Sequence, residues 1–221
     1  MVDQIPKLEP MAEFFNRRVD GYEEHQKSAV DGAPELYSVT ASLLPVWPGC
    51  RVLDLGCGTG LELDEYFPLN PTAEVVGIDL AQDMLAVLEK KHGAKNLTLV
   101  HASYFEYDFG TGAYDAAVSV MSLHHFTKEQ KLPLYEKLRA ALRENAPFVL
   151  TDYFAPDDAF EAQRFKELEE RKILSGITDG GSYHFDTPLT AARETEVLLA
   201  AGFTEVKPIR QWGNTVTLLA R

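Results

Sequence analysis

The sequence predicts an α/β fold: a doubly wound, seven-stranded, mostly parallel sheet whose C-terminal strand runs antiparallel. Three observations predict it. Short apolar runs alternate with longer amphipathic stretches through the middle of the chain, the pattern of a parallel sheet covered on both faces. A glycine-rich turn follows the first apolar run directly. The last two runs are separated only by Gln211-Trp212-Gly213-Asn214, enough for a hairpin and too short for a crossover helix.

Taken in order, Met11 to about Pro45 reads as a helical preface, with Phe14, Phe15, Val19 and Tyr22, then Leu36, Val39, Leu43 and Leu44, broken near Asp31-Gly32. Strands are expected at Arg51 to Leu55, Glu74 to Asp79, Leu97 to His101, Tyr114 to Val120, Pro147 to Asp152, Phe203 to Arg210 and Thr215 to Ala220. Ala81 to His92 reads as a helix stopped at Gly93, and Thr127 with Gln130 forms a capping box that opens a helix to about Arg143. Between Asp152 and Pro188 lies a polar and aromatic insertion, partly helical over Asp158 to Leu174 and long enough to form a lid. A helix from Thr190 to Ala201 follows. The expected organisation is one domain over 1–221, with a preface over 1–45 and a lid-like insertion over 153–188.

Composition narrows the function. The 221 residues are 45% hydrophobic and 25% charged, ordinary for a chain that buries a core. With 21 basic and 34 acidic residues the net charge is −13, which repels a phosphate backbone, so nucleic acid is not expected as a partner. Met1 to Pro10 lacks the basic and apolar pattern of a leader, and no run of about 18 apolar residues occurs, so a cytoplasmic protein without membrane contact is expected. Cys50 and Cys57 are separated mostly by strand, roughly 20 Å at about 3.3 Å per residue, too far for a disulfide. Both are expected to be reduced. No metal is expected, since no histidine or cysteine stands near them at ligand spacing.

The chemistry is carried by Val52-Leu53-Asp54-Leu55-Gly56-Cys57-Gly58-Thr59-Gly60. Its glycines let the backbone turn sharply and let a ligand lie against it. Asp79, nineteen residues beyond Gly60, ends the second strand, where a carboxylate can accept hydrogen bonds from both hydroxyls of a ribose. A dinucleotide satisfies both features. Asp54 argues against one, because it sits where a pyrophosphate would approach, and the spacing is Gly-x-Gly-x-Gly in place of Gly-x-Gly-x-x-Gly. S-adenosylmethionine carries an ammonium, a sulfonium and no phosphate, and suits an acid there.

On Val52 to Gly60, on Gly77-Ile78-Asp79-Leu80 and on the terminal hairpin, the chain resembles the class I S-adenosylmethionine-dependent methyltransferases. The likeness is strongest over Cys50 to Asp152. It implies that Gly56, Cys57, Gly58 and Gly60 lie against the methionine moiety, Asp79 holds the ribose, Leu80 and Met84 flank the adenine, and Met121 lies beneath the cofactor. Where relatives often place an acid at the end of the third strand to read the adenine amino group, this chain has Ser103 and Tyr104, a departure; by that alignment these two residues meet the adenine, through the serine hydroxyl or its amide. It also lacks the Asn-Pro-Pro-Tyr-like run that grips a planar amide or exocyclic amine. With the acidic charge, that absence points to a small-molecule acceptor, with S-adenosylhomocysteine as the second product.

Candidates for the acceptor site are His124, His125, Tyr153, His184 and Asp186, each with a plain alternative as strand end or lid packing. No dedicated base is singled out, because a sulfonium methyl is already electrophilic and positioning supplies much of the acceleration. Phe15, Arg18 and Tyr22 are candidates to fold over the cofactor. Competing accounts are a non-catalytic binder of S-adenosylmethionine or S-adenosylhomocysteine, and an enzyme that modifies the cofactor itself.

Overall fold

The computed structural model describes residues 7–179 and 181–221; residues 1–6 of the preface and Gly180 of the insertion lie outside them. Seven strands, β1 (Arg51–Leu55), β2 (Glu74–Asp79), β3 (Leu97–His101), β4 (Ala116–Val120), β5 (Phe148–Tyr153), β6 (Val206–Trp212) and β7 (Thr215–Ala220), form one sheet in the order β3-β2-β1-β4-β5-β7-β6. All neighbours are parallel except β7, which runs antiparallel to both β5 and β6. The chain reverses from β1 outward in both directions, so the crevice at the carboxyl ends of β1 and β4 is the switch point where such sheets hold ligands. Among the described residues no helix is long and apolar enough to cross a membrane.

Among the described residues the helices are α1 (Met11–Asn16), α2 (Tyr22–Ala29), α3 (Glu35–Ser42), α4 (Leu61–Leu69), α5 (Gln82–His92), α6 (Lys128–Ala141), α7 (Asp158–Ser175) and α8 (Ala191–Ala200), with a 3₁₀ turn at Leu123–His125. One sheet face packs α3, α4 and α5 through Leu36, Leu63, Phe67 and Leu88. The other packs α6 and α8 through Leu134, Tyr135, Leu138 and Leu198. Leu134, Leu138 and Ala141 recur at helical spacing along α6, which is why this stretch buries one face and exposes the rest. Thr127 and Gln130 close the expected capping box at its start. Between the two helices Lys131 Nζ donates to Glu194 Oε2 at 2.5 Å, both fully buried, and the Tyr135 hydroxyl donates to the other oxygen of the same carboxylate. A chain of hydroxyls, Thr40 to Thr151 at 2.6 Å and Thr151 to Thr217 at 2.8 Å, fastens α3 to β5 and β7.

Several boundaries differ from expectation by a residue or more, and three of the differences have a visible cause. β4 begins at Ala116, because Tyr114 pairs instead with Leu142 at the end of α6. β6 begins at Val206, since Phe203 turns into the core below α8 and Thr204 bonds back to Arg221. The hairpin loop is two residues, not four: Trp212 remains in β6 opposite Thr215. Its indole donates to Glu35 Oε2 at 3.0 Å and packs on Gly32, so the ring that had no evident partner in sequence is anchored by the preface.

Candidate active site

Gly56, Gly58 and Gly60 all adopt left-handed backbone, with φ of 73°, 48° and 75°. At Gly56 a Cβ would lie 2.0 Å from Ser122 Oγ, so the turn passes hard against the end of β4 and only glycine fits. Cys57 turns its thiol inward against Gly77 of β2 and offers the cleft only its backbone. Asp79 is aimed by two amides: Gly58 N donates to Oδ2 at 2.8 Å and Ala81 N to Oδ1 at 2.7 Å. Each oxygen keeps a lone pair for a hydroxyl.

Gly56, Gly58 and Asp79 form one wall of a narrow cleft with Leu80, Met84 and Tyr104, whereas Cys57 and Gly60 line a smaller adjoining pocket with Thr59 and Glu62. Met11, Phe15 and Tyr22 form the opposite wall, and Met121, Ser122 and His125 close the inner end. The preface therefore lines the cleft through Phe15 and Tyr22, whereas Arg18, the third residue expected to fold over the cofactor, lies outside it. Tyr104 reaches the Ser122 hydroxyl at 3.2 Å. Ser103 stays outside this wall, where its Oγ accepts from Phe105 N at 3.2 Å.

Beneath the glycine turn stand two buried acids. Asp54 is 1% exposed and Glu62, on the first turn of α4, is 5% exposed. Among the described residues neither Asp54 oxygen has a hydrogen-bond partner, and Glu62 Oε1 and Thr59 Oγ1 have none either. Burial, followed by the charge of Glu62, holds the Asp54 carboxyl well above the usual carboxylate range, and burial pushes Glu62 up to about 7. Buried acceptors left unsatisfied are costly, and a cationic ligand group cures that cost. The ammonium of S-adenosylmethionine fits this donor requirement; a pyrophosphate aggravates it. Glu62 was missed in sequence, and its only signal there is its place just after the turn.

Met121 directly follows β4 with φ of 52°, unusual for a residue with a side chain, and its amide donates to Thr151 O at 2.9 Å. Beyond it opens a chamber of about 520 Å³ lined by Phe14, Phe15, Arg18 and Tyr22 from the preface and by His124, His125, His184 and Asp186. The insertion is strapped to the preface by Met11 N to Ser182 O and His184 N to Glu9 O, both 2.9 Å. Thr187 N to His124 O, at 2.8 Å, ties it to the 3₁₀ turn.

Four of the five acceptor-site candidates thus meet. His124 Nδ1 lies 2.6 Å from Asp152 Oδ1, and Asp152 also accepts from the amides of Leu123 and Tyr153, both at 2.9 Å. Burial opposes charge on His124, but the Asp152 and Asp186 carboxylates outweigh it and raise its pKa; burial likewise opposes charge on Asp152, and His124 outweighs it, holding that carboxyl below the usual range. Burial and the neighbouring His124 lower His125. His184 stacks on Phe14 at 3.4 Å between centroids, and burial with His125 nearby lowers it to about 4. Tyr153 stands edge-on behind His124, 6.0 Å between centroids, and is absent from the chamber wall. Asp152, the residue that orients His124, was missed; an acid ending the fifth strand beside two adjacent histidines was the available clue.

Comparison with known proteins agrees with this geometry. The family described as methyltransferase domain matches residues 52–145. A malonyl-[acyl-carrier protein] O-methyltransferase of Bacillus cereus is 33% identical over 201 residues, covering 82% of this chain and 68% of the relative. A carboxy-S-adenosyl-L-methionine synthase of Campylobacter fetus is 23% identical over 191 residues, covering 78% and 77%. Human N-acetylserotonin methyltransferase in complex with S-adenosylmethionine shares the fold at a TM-score of 0.65 and 16% identity, over 95% of this chain and 56% of that one. The chain belongs to the S-adenosylmethionine-dependent methyltransferase family. It is an enzyme, and S-adenosylmethionine is its cofactor.

Proposed function

We propose that this enzyme transfers the methyl group of S-adenosylmethionine to a small molecule held in the chamber between preface and insertion. Bound S-adenosylmethionine supplies an electrophilic methyl on a positive sulfur. Asp54 and Glu62 take the ammonium, the backbone of Gly56, Cys57, Gly58 and Gly60 lies along the methionine moiety, Asp79 takes the ribose, and Leu80, Met84 and Tyr104 border the adenine. One observation carries the reading: cleft and chamber share Phe15, Tyr22, Met121 and His125, so a methyl group at the inner end of the cleft faces the chamber. Aromatic walls exclude water, and His124, positioned by Asp152, gives the acceptor a polar contact. The net charge of −13 disfavours a nucleic-acid acceptor.

The test is titration calorimetry with S-adenosylmethionine and S-adenosylhomocysteine, followed by mass spectrometry of candidate acceptors after incubation. Micromolar binding of both, with methylation of a small molecule, supports the reading; failure of both to bind sinks it. The likeness to the Campylobacter enzyme favours a second reading, modification of the cofactor itself. An altered mass on the recovered cofactor, with no methylated acceptor, would select it.

A further inference from the structure

Three ligand-type atoms converge on the inner wall of the chamber. His124 Nε2 lies 3.7 Å and His125 Nδ1 3.1 Å from the same oxygen, Oδ1, of Asp186. All three atoms fall within 4.8 Å of one another. The His125 side chain is 4% exposed, yet its Nδ1 meets Asp186 without hydrogen-bond geometry and has no other partner among the described residues. A buried nitrogen close to a carboxylate but off its hydrogen-bonding axis suits two lone pairs meeting at a third point. Ions of the zinc type sit about 2.0 to 2.2 Å from each such donor, which leaves roughly 3 to 3.5 Å between donors.

His124 carries a second mark. Its Nδ1 is occupied by Asp152, and the Leu123 and Tyr153 amides fix that carboxylate in turn. A carboxylate behind a histidine sets the ring's orientation and leaves Nε2 as the outward atom, the outer-shell arrangement of metal-binding histidines. Asp186 is held by its backbone, with Arg164 Nε donating to its carbonyl at 2.9 Å and the next residue bonded to His124 O. The triad is therefore built by the fold, not by long side chains meeting at a surface.

We propose that His124, His125 and Asp186 bind a divalent first-row transition ion of the zinc or iron(II) type, and that this ion anchors the acceptor through chelating oxygen atoms. Two imidazoles and one carboxylate suit such ions better than magnesium or calcium. The ion site stands on the triad; the anchoring role rests on the methyl-transfer reading above. The inference departs from the sequence expectation of no metal, because adjacent histidines show no ligand spacing until the insertion delivers Asp186.

Cobalt(II) chloride, titrated into the full chain after treatment with a chelator, is the probe. One equivalent should give the visible absorption of an imidazole-bound, low-symmetry site. Asp186→Asn should abolish the band, and Asp152→Asn should weaken cobalt binding about 10- to 100-fold. S-adenosylmethionine titration, expected within about threefold of wild type for Asp186→Asn, shows that this variant is folded. Absence of the band in the wild-type chain, or its survival in Asp186→Asn, overturns the ion site; if S-adenosylmethionine still binds, the methyl-transfer reading stands. A cobalt band in protein that binds no S-adenosylmethionine overturns that reading and keeps the ion site. Catechol, a two-oxygen chelator, should shift the wild-type band; an unmoved band overturns the anchoring role.

Discussion

Two pairs of buried groups flank the junction of cleft and chamber, and they are built on opposite principles. Beneath the glycine turn, Asp54 and Glu62 are both acids with raised pKa values, and both Asp54 oxygens and Glu62 Oε1 have no hydrogen-bond partner among the described residues. Across Met121, Asp152 and His124 are of opposite sign when charged and are bonded at 2.6 Å, and the carboxyl is held down. The first pair is costly alone, and the proposed function has the ammonium of S-adenosylmethionine complete it. The second is complete in the protein itself and serves to hold a ring in place. An unsatisfied pair marks where binding energy is gained, and a satisfied pair marks where geometry is kept.

The largest expected effect removes what both pairs share. A chain beginning near Leu36 loses Met11, Phe15 and Tyr22 from the cleft wall, and calorimetry should detect no S-adenosylmethionine binding while the far-UV spectrum still shows sheet. Unchanged affinity would break the link between preface and cofactor. Next in size, Asp152→Asn replaces the buried carboxylate beside His124 with an uncharged amide and should cost about 3 kcal/mol, a fall of roughly 6 to 12 °C in a melting scan. Asp79→Ala should weaken S-adenosylmethionine by about 1 to 3 kcal/mol through lost ribose bonds, and should also lower stability because the Gly58 and Ala81 amides lose their acceptor.

Asp54→Asn sharpens the contrast most, because its two effects have opposite signs. Removing a buried unpaired acid should raise the melting temperature of the free protein, while the dissociation constant for S-adenosylmethionine rises about tenfold, near 1.4 kcal/mol. A lowered melting temperature would mean that Asp54 is satisfied without ligand. The smallest effect is protonic. Glu62 has its folded pKa raised from 4.5 to about 7, so its contribution to the stability of the free protein is full below 4.5 and is lost as pH rises toward 7. A bound ammonium favours the ionised acid, so affinity should rise with pH across that window. Calorimetry near pH 6, in buffers of different ionisation enthalpy, should find fractional proton release on binding; uptake would contradict the cation assignment.

The sheet was legible because its signals are local. Val52 to Gly60 places strand, turn and helix within one short stretch, and the hairpin needs only the spacing between two runs. The cofactor cleft was legible for the same reason, except for Glu62, whose meaning depends on being buried beside Asp54. The chamber is assembled from the preface, the 3₁₀ turn and the insertion, so His124, His125, His184 and Asp186 could be named only as separate candidates. Asp152 and the anchoring of Trp212 by Glu35 depend on contacts between distant segments, for which periodicity gives no sign. Tyr153 and Ser103 were misplaced because strand ends fix which residue is near a site, not which way its side chain turns.

The left-handed backbone at Met121 sets stability against selectivity. A side chain held at positive φ costs about 1 to 3 kcal/mol, and glycine there would remove that burden. Yet Met121 lines both the cleft and the chamber, so glycine there would widen the passage between them. Selection for thermal endurance would therefore favour replacing Met121, whereas selection for keeping water from the methyl group would retain it. Its side chain records which demand has prevailed in this enzyme.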